Sequence, residues 1–179
     1  MSAKIKALTE YVSKDFTKEF RIILLGTGND SERRQSSALI KYIGYNILLD
    51  CPEDFRDEIG NMNLDVAIFS SSSANSIGGI KYLPKNEKLT CFMGRETAKI
   101  VKASEEDLSH LSIKIFQPRK NFDIFGITVL PLPIGNGYGF KFGNGLIYAS
   151  NLSLPLEDDI MKQFNETDTI VVGSSHWDV

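Results

Sequence analysis

A short apolar run, Leu64-Asp65-Val66-Ala67-Ile68-Phe69, passes directly into a serine-rich segment that begins at Ser70 and closes on Gly78-Gly79. An apolar run of this length bounded by turn formers reads as a buried strand. The strand on one side and the glycine pair on the other place Ser70–Gly79 as a loop at the edge of a sheet. Elsewhere in the chain, strands, hairpins and single helices alternate with no repeat or linker, which makes one α/β or α+β domain with mixed sheets.

The bulk numbers agree with that reading. At 179 residues the chain is expected to form one domain, and 42% hydrophobic with 24% charged residues is ordinary for a soluble globular protein. A net charge of −3 argues against non-specific nucleic-acid binding, which needs clustered Lys and Arg. A local basic face from Arg33, Arg34, Lys81 and Lys85 is the exception to test. No apolar run approaches the roughly 20 residues that span a bilayer. Met1–Lys6 lacks the apolar core of a secretory signal. Cys51 and Cys91 make neither a disulfide framework nor a zinc knuckle. The expectation is a cytoplasmic protein without membrane association.

Along the chain, Ile5, Leu8, Val12 and Phe16 form one stripe, which predicts an amphipathic helix over 3–17 within an N-terminal segment, 1–17, that precedes the rest of the domain. Arg21–Leu25 reads as a strand ended by Gly26-Thr27-Gly28. That turn lacks the third glycine of a dinucleotide fingerprint, and another strand follows where a helix would be needed. Ala38–Ile43 and Asn46–Asp50 predict a hairpin around Gly44-Tyr45. Pro52 opens a helix to about Ile59 with Phe55 and Ile59 inward. A strand at Leu89–Met93, a helix at Arg95–Lys102, a helical patch around Glu105–His110 and a strand at Ile113–Phe116 come next. The second half predicts strands about Gly126, a hairpin through Asn144-Gly145, a helix over Pro155–Phe164 and a last strand at Thr169–Val172.

These segments together resemble the metallo-β-lactamase-fold hydrolases, and within them the branch of the tRNA 3′-end endonuclease and the phosphonate-pathway cyclic phosphodiesterase. The matching text is Ile23–Gly28, Arg34–Ser37 with Leu39-Ile40, Ile47–Cys51, and the 65–69 strand running into Asn75-Ser76-Ile77-Gly78-Gly79-Ile80. Ile127–Pro133 and Tyr148–Pro155 continue it, so the resemblance covers roughly residues 21–176. It implies a four-layer αββα sandwich, α/β (α+β) in class, in one domain over 1–179 that is short at its C-terminal end.

That family holds two zinc ions with a Thr-His-x-His-x-Asp-His-x-Gly-Gly loop and further His and Asp residues. The resemblance places the first histidine pair on Ser71 and Ser73, the Asp-His pair on Asn75 and Ser76, the third histidine on Asn136 and the bridging aspartate on Asn151. Hydroxyls and amides are poor zinc ligands beside imidazole, thiolate and carboxylate. The expectation is a vestigial site with no metal, no cofactor and no catalytic residue. Arg33, Arg34, Asp50 and His176 are the candidates for holding a small anionic ligand. The bland readings beside them are solvated arginines, an aspartate that caps a helix or holds a loop, and a structural histidine. His110 reads as a surface or packing residue, and Cys51 as a buried structural thiol.

The functional expectation is a binding or regulatory module. A homo-oligomer or partner protein is expected to cover the C-terminal sheet edge. The alternative is a hydrolase of phosphodiesters or esters with a rebuilt or mutated active site, for which spacing alone assembles no nucleophile and base from Ser71, Ser73, Asp50 and His176.

Overall fold

The computed structural model describes residues 10–12, 20–26, 35–85, 88–143 and 145–172. Two mixed sheets pack face to face. The first has seven strands in the order β1-β2-β3-β4-β5-β6-β7: β1 Glu10–Val12, β2 Phe20–Gly26, β3 Ser37–Tyr42, β4 Tyr45–Leu49, β5 Val66–Ile68, β6 Leu89–Met93 and β7 Leu111–Ile115. Pairing is antiparallel from β1 to β4 and parallel from β4 to β7. The second sheet runs β12-β11-β10-β9-β8, with β8 Phe122–Ile124, β9 Ile127–Ile134, β10 Gly137–Phe142, β11 Leu146–Ala149 and β12 Thr169–Val172. Only its β11–β12 pair is parallel.

Period-two alternation sorts side chains to the two faces of each sheet. Ile40, Ile47, Leu49 and Ile68 from the first sheet meet Val129, Phe140, Phe142 and Tyr148 from the second in the central core. Their neighbours Leu48, Ala67, Cys91 and Met93 face outward and are covered with Phe55, Ile59, Ala98 and Val101, from the helical layer that contains α1 Arg56–Ile59 and α3 Arg95–Ala103. The short α2, Ala74–Ile77, follows the serine-rich loop. On the far side, Ile160 and Phe164 of α4 Asp158–Asn165 pack on Leu132, Ile134, Ile147 and Ala149. The result is helices, sheet, sheet, helix. Ile47–Leu49 of β4 and Val66–Ile68 of β5 are apolar on both faces because both faces are covered there.

Several sequence expectations need correction. Within the helix expected over 3–17, Glu10–Val12 is the edge strand β1, in register Glu10↔Ile23 to Val12↔Arg21; the rest of 3–17 lies outside the described residues. An isolated short helix is marginal in water, whereas the open edge of β2 offers a row of unpaired backbone groups. No helix forms around Glu105–His110. Asp107 Oδ1 instead accepts from the Ser109 amide and hydroxyl at 3.2 and 2.8 Å, a local bonding pattern that competes with helix. Helix α4 starts at Asp158 rather than Pro155. The first hairpin turns on Ile43-Gly44, at φ 46° and 84°, one residue earlier than expected, and Tyr45 opens β4. Phe125-Gly126 repeats this geometry at 53° and 85°. Both are type I′ turns with a bulky residue where Asn or Gly is usual.

Candidate functional site

Three loops converge at one end of the sandwich. They are the serine-rich loop after β5, the Asn136 turn between β9 and β10, and the Ser150-Asn151 segment after β11. The Tyr138 amide donates to the Ser70 carbonyl at 2.8 Å. A side chain at Gly137 would stand 2.8 Å from that same carbonyl and 3.1 Å from Ser71 Cβ, so only glycine lets this turn press so close. A Cβ on Gly135 would meet Ser153 Oγ at 2.8 Å, which seats the turn against the segment after β11. Ser71, Ser73, Asn75, Ser76, Asn136 and Asn151 thus belong to loops that the fold brings together.

Beneath them sits Asp50, 1% exposed at the end of β4, in the left-handed region (φ 59°) that Asp tolerates. Its amide donates to the Ile68 carbonyl at 2.9 Å, and its carbonyl accepts from Ser37 Oγ at 2.9 Å. Its carboxylate takes four donors. Oδ1 accepts from the Ser70 amide at 2.8 Å and from the Ser76 hydroxyl. Oδ2 accepts from Ser70 Oγ at 2.8 Å and Tyr148 Oη at 3.3 Å. Ser70 Oγ also lies 2.8 Å from Ser150 Oγ, and Ser76 Oγ accepts from the Ser71 amide at 3.1 Å. Burial pushes the Asp50 carboxyl above its usual range, opposed by the bonds from Ser70, Ser76 and Ser150. Burial also lifts the Tyr148 phenol, so it stays protonated and donates.

Of the sequence candidates, Asp50 and Ser76 are therefore in direct contact and face inward. Ser71 Oγ and Ser73 Oγ pair with each other at 2.8 Å near the surface. Asn75, Asn136 and Asn151 are exposed. Arg33, Arg34 and His176 lie outside the described residues. Asp50 makes no cap to the 3-10 turn Glu53–Phe55, whose N-cap is Pro52; it holds the serine-rich loop instead. Ser70, Ser150 and Tyr148 were not among the candidates. Tyr148 had a legible signal, since it shares the inward face of β11 with Leu146, and a buried tyrosine needs a hydroxyl partner. Changing Tyr148 to Phe is expected to cost about 1 kcal/mol, the value of one such bond, with the fold retained, as read by urea unfolding.

Neither cysteine offers a nucleophile. Both are buried, and burial pushes Cys91 up to about 12 and raises Cys51 as well. His110 is remote, with its buried Nε2 lacking a partner among the described residues.

At the level of sequence, the chain matches no family model and no curated protein. Solved structures decide the fold. A diphosphatase of the PhnP family superposes with TM-score 0.67 at 17% identity, over 83% of this chain and 71% of that one. Zinc-bound PqqB of Methylobacterium extorquens gives 0.69 at 13%, over 86% and 70%. The metallo-β-lactamase fold protein YhfI of Bacillus subtilis gives 0.63 at 16%, over 79% and 66%. This chain has the metallo-β-lactamase fold.

The metallo-β-lactamase fold implies metal, and the side chains at the converging loops do not fit it. No group of three or more His, Cys, Asp or Glu that could hold a metal ion occurs among the described residues. The position that the sequence resemblance gives to a histidine ligand, Ser76, is 2% exposed and turned onto Asp50. The Asp50 carboxylate is itself occupied by four protein donors. A cleft of about 770 Å³ does exist in this metallo-β-lactamase fold, but at the other end of β5 and β6, and no residue of the serine-rich loop lines it. Among the described residues no helix is long and apolar enough to cross a membrane.

Proposed function

We propose that this protein is a metal-free member of the metallo-β-lactamase fold that acts as a binding or regulatory module rather than as a hydrolase. The observation that carries the reading is the closure of the site on itself. Ser70, Ser76, Ser150, Tyr148 and Asp50 satisfy one another in a buried cluster, where metal chemistry needs open, ionised or imidazole ligands. A rebuilt hydrolase would need a base beside a serine hydroxyl. Ser71 has a second serine, Ser73, as its side-chain partner, and Asp50 is sealed beneath the loop. The reading places the molecule in the cytoplasm. It also places a partner or second copy at the β12 edge, where Ile170 is 44% exposed.

Metal analysis tests the central point. Protein purified with added zinc and then desalted is expected to retain well below one equivalent, on the order of a tenth or less, because no described ligand set can anchor the ion. It is also expected to hydrolyse bis(p-nitrophenyl) phosphate no faster than buffer. Retention of stoichiometric zinc together with phosphodiester turnover would overturn the proposal.

A further inference from the structure

The 770 Å³ cleft is unrelated to the serine cluster and does not depend on how that cluster is read. It opens between the segment after α1, the start of β6 and the β8–β9 hairpin, and its volume lies within the range of small-molecule sites, roughly 300–1,000 Å³. Buried Val66, Leu89 and Ile124 supply an apolar floor.

Two aromatic rings on its wall are fixed before any ligand arrives. Phe92 stacks on Phe122 at 4.7 Å between centroids, and Phe122 stacks on Phe116 at 5.8 Å. Phe125, at the tip of its hairpin, stacks flat on Tyr45 at 3.7 Å and 4°. Phe125 is 39% exposed and held at φ 53°, a conformation costly for a bulky residue. The facing tip carries Ile43 at φ 46°. The two sheets thus hold an aromatic rim in place at the expense of backbone strain.

The charge of the lining is as specific as its shape. Among the described lining residues the charged side chains are two carboxylates, Asp65 and Asp123, and one ammonium, Lys88. Each carboxylate is oriented by one backbone amide: Asn46 N–H to Asp65 Oδ2 at 2.8 Å and Gly126 N–H to Asp123 Oδ1 at 2.9 Å. Fixed aromatic faces beside oriented carboxylates suit a flat ring bearing a positive charge, through stacking, cation–π attraction and charge-assisted hydrogen bonds. A phosphate or carboxylate ligand would meet two like charges.

From this we infer that the cleft is a binding site for a small aromatic amine. The experiment is a titration of the full chain with tryptamine and, separately, with indole-3-acetate, followed by two-dimensional amide NMR. Tryptamine is expected to shift the amides of Asn63, Thr90 and Gly126, with indole-3-acetate bound at least about tenfold more weakly, the discrimination of one charge contact. The pair Asp65→Asn and Asp123→Asn keeps an acceptor oxygen for each backbone amide and is expected to weaken tryptamine about tenfold. The exposed substitution Lys88→Glu, which threatens no core contact, is expected to strengthen it about threefold. The inference fails if neither compound shifts those amides at millimolar concentration. It fails equally if the anion binds as well as the cation, or if tryptamine affinity is indifferent to Lys88→Glu.

Discussion

Replacing Asp50 with Ala is expected to lower the unfolding free energy by about 4 kcal/mol, measured by urea denaturation followed by far-UV circular dichroism. The carboxylate is the common acceptor for Ser70 N–H, Ser70 Oγ–H, Ser76 Oγ–H and Tyr148 Oη–H in a region where Asp50, Ser70 and Ser76 are all at most 3% exposed. Each buried donor left without an acceptor costs about 1–3 kcal/mol, and rotation of the hydroxyls toward one another recovers part of it. Asp50→Asn keeps the shape and one acceptor oxygen, so its loss is expected to be smaller, about 1–2 kcal/mol. A loss under 1 kcal/mol in Asp50→Ala would mean that the cluster is incidental.

The same carboxylate sets a pH dependence. Burial raises its pKa in the folded protein above the ordinary 3.8, and the opposing hydrogen bonds do not reverse that direction. The folded state therefore holds this proton more firmly than the unfolded state. The Asp50 contribution to stability is greatest below 3.8, falls as pH rises through the raised folded-state value, and is level above it. Asp50→Asn removes that dependence. The stability difference between native protein and Asp50→Asn should accordingly change across this window and flatten beyond it. A difference that stays constant with pH would contradict the assignment.

Gly79→Ala is the second large effect, an expected loss of about 2–3 kcal/mol from forced overpacking. A Cβ there would stand 2.6 Å from the Pro52 carbonyl oxygen and 3.0 Å from both the Cys51 carbonyl oxygen and Cys51 Sγ. The first two are backbone atoms that cannot swing aside. The Gly79 amide is moreover bonded to the Cys51 carbonyl at 2.7 Å, so relief by moving residue 79 sacrifices that bond. Gly60→Ala is the matched control: its nearest contact would be an ordinary 3.6 Å, and the change is expected to be neutral or stabilising by about 0.5 kcal/mol. Equal effects at the two positions would rule out the steric explanation.

These residues show why the fold could be read from sequence so much better than the site. Apolar runs such as Ile47–Leu49 and Val66–Ile68 carry their strand identity locally, and Gly-bearing turns punctuate them. The glycine pair is legible as a feature, but the need for glycine at Gly79 comes from packing against Pro52 and Cys51, which only the folded chain brings close. Segments decided by competition were misread. Glu10–Val12 joins a sheet edge that its own periodicity does not reveal, and Asp107 and Ser109 satisfy each other rather than a helix. At the site, Ser71, Asn136 and Asn151 could be assigned positions from the resemblance. The inward turn of Ser76, and the parts played by Ser70, Ser150 and Tyr148, depend on side-chain direction at contacts up to 98 residues apart.

That separation bears on how the chain assembles. Asp50 lies 20 residues from Ser70, 26 from Ser76 and 98 from Tyr148, so the cluster cannot be completed until the second sheet has formed and docked. Closing so long a loop carries its entropy cost before the contact returns anything. The serine-lined end is then a late-setting clasp across the whole sandwich. Its contribution is expected to fall on how slowly the finished molecule comes apart rather than on how fast it is made, so Asp50→Asn should speed unfolding more than it slows folding.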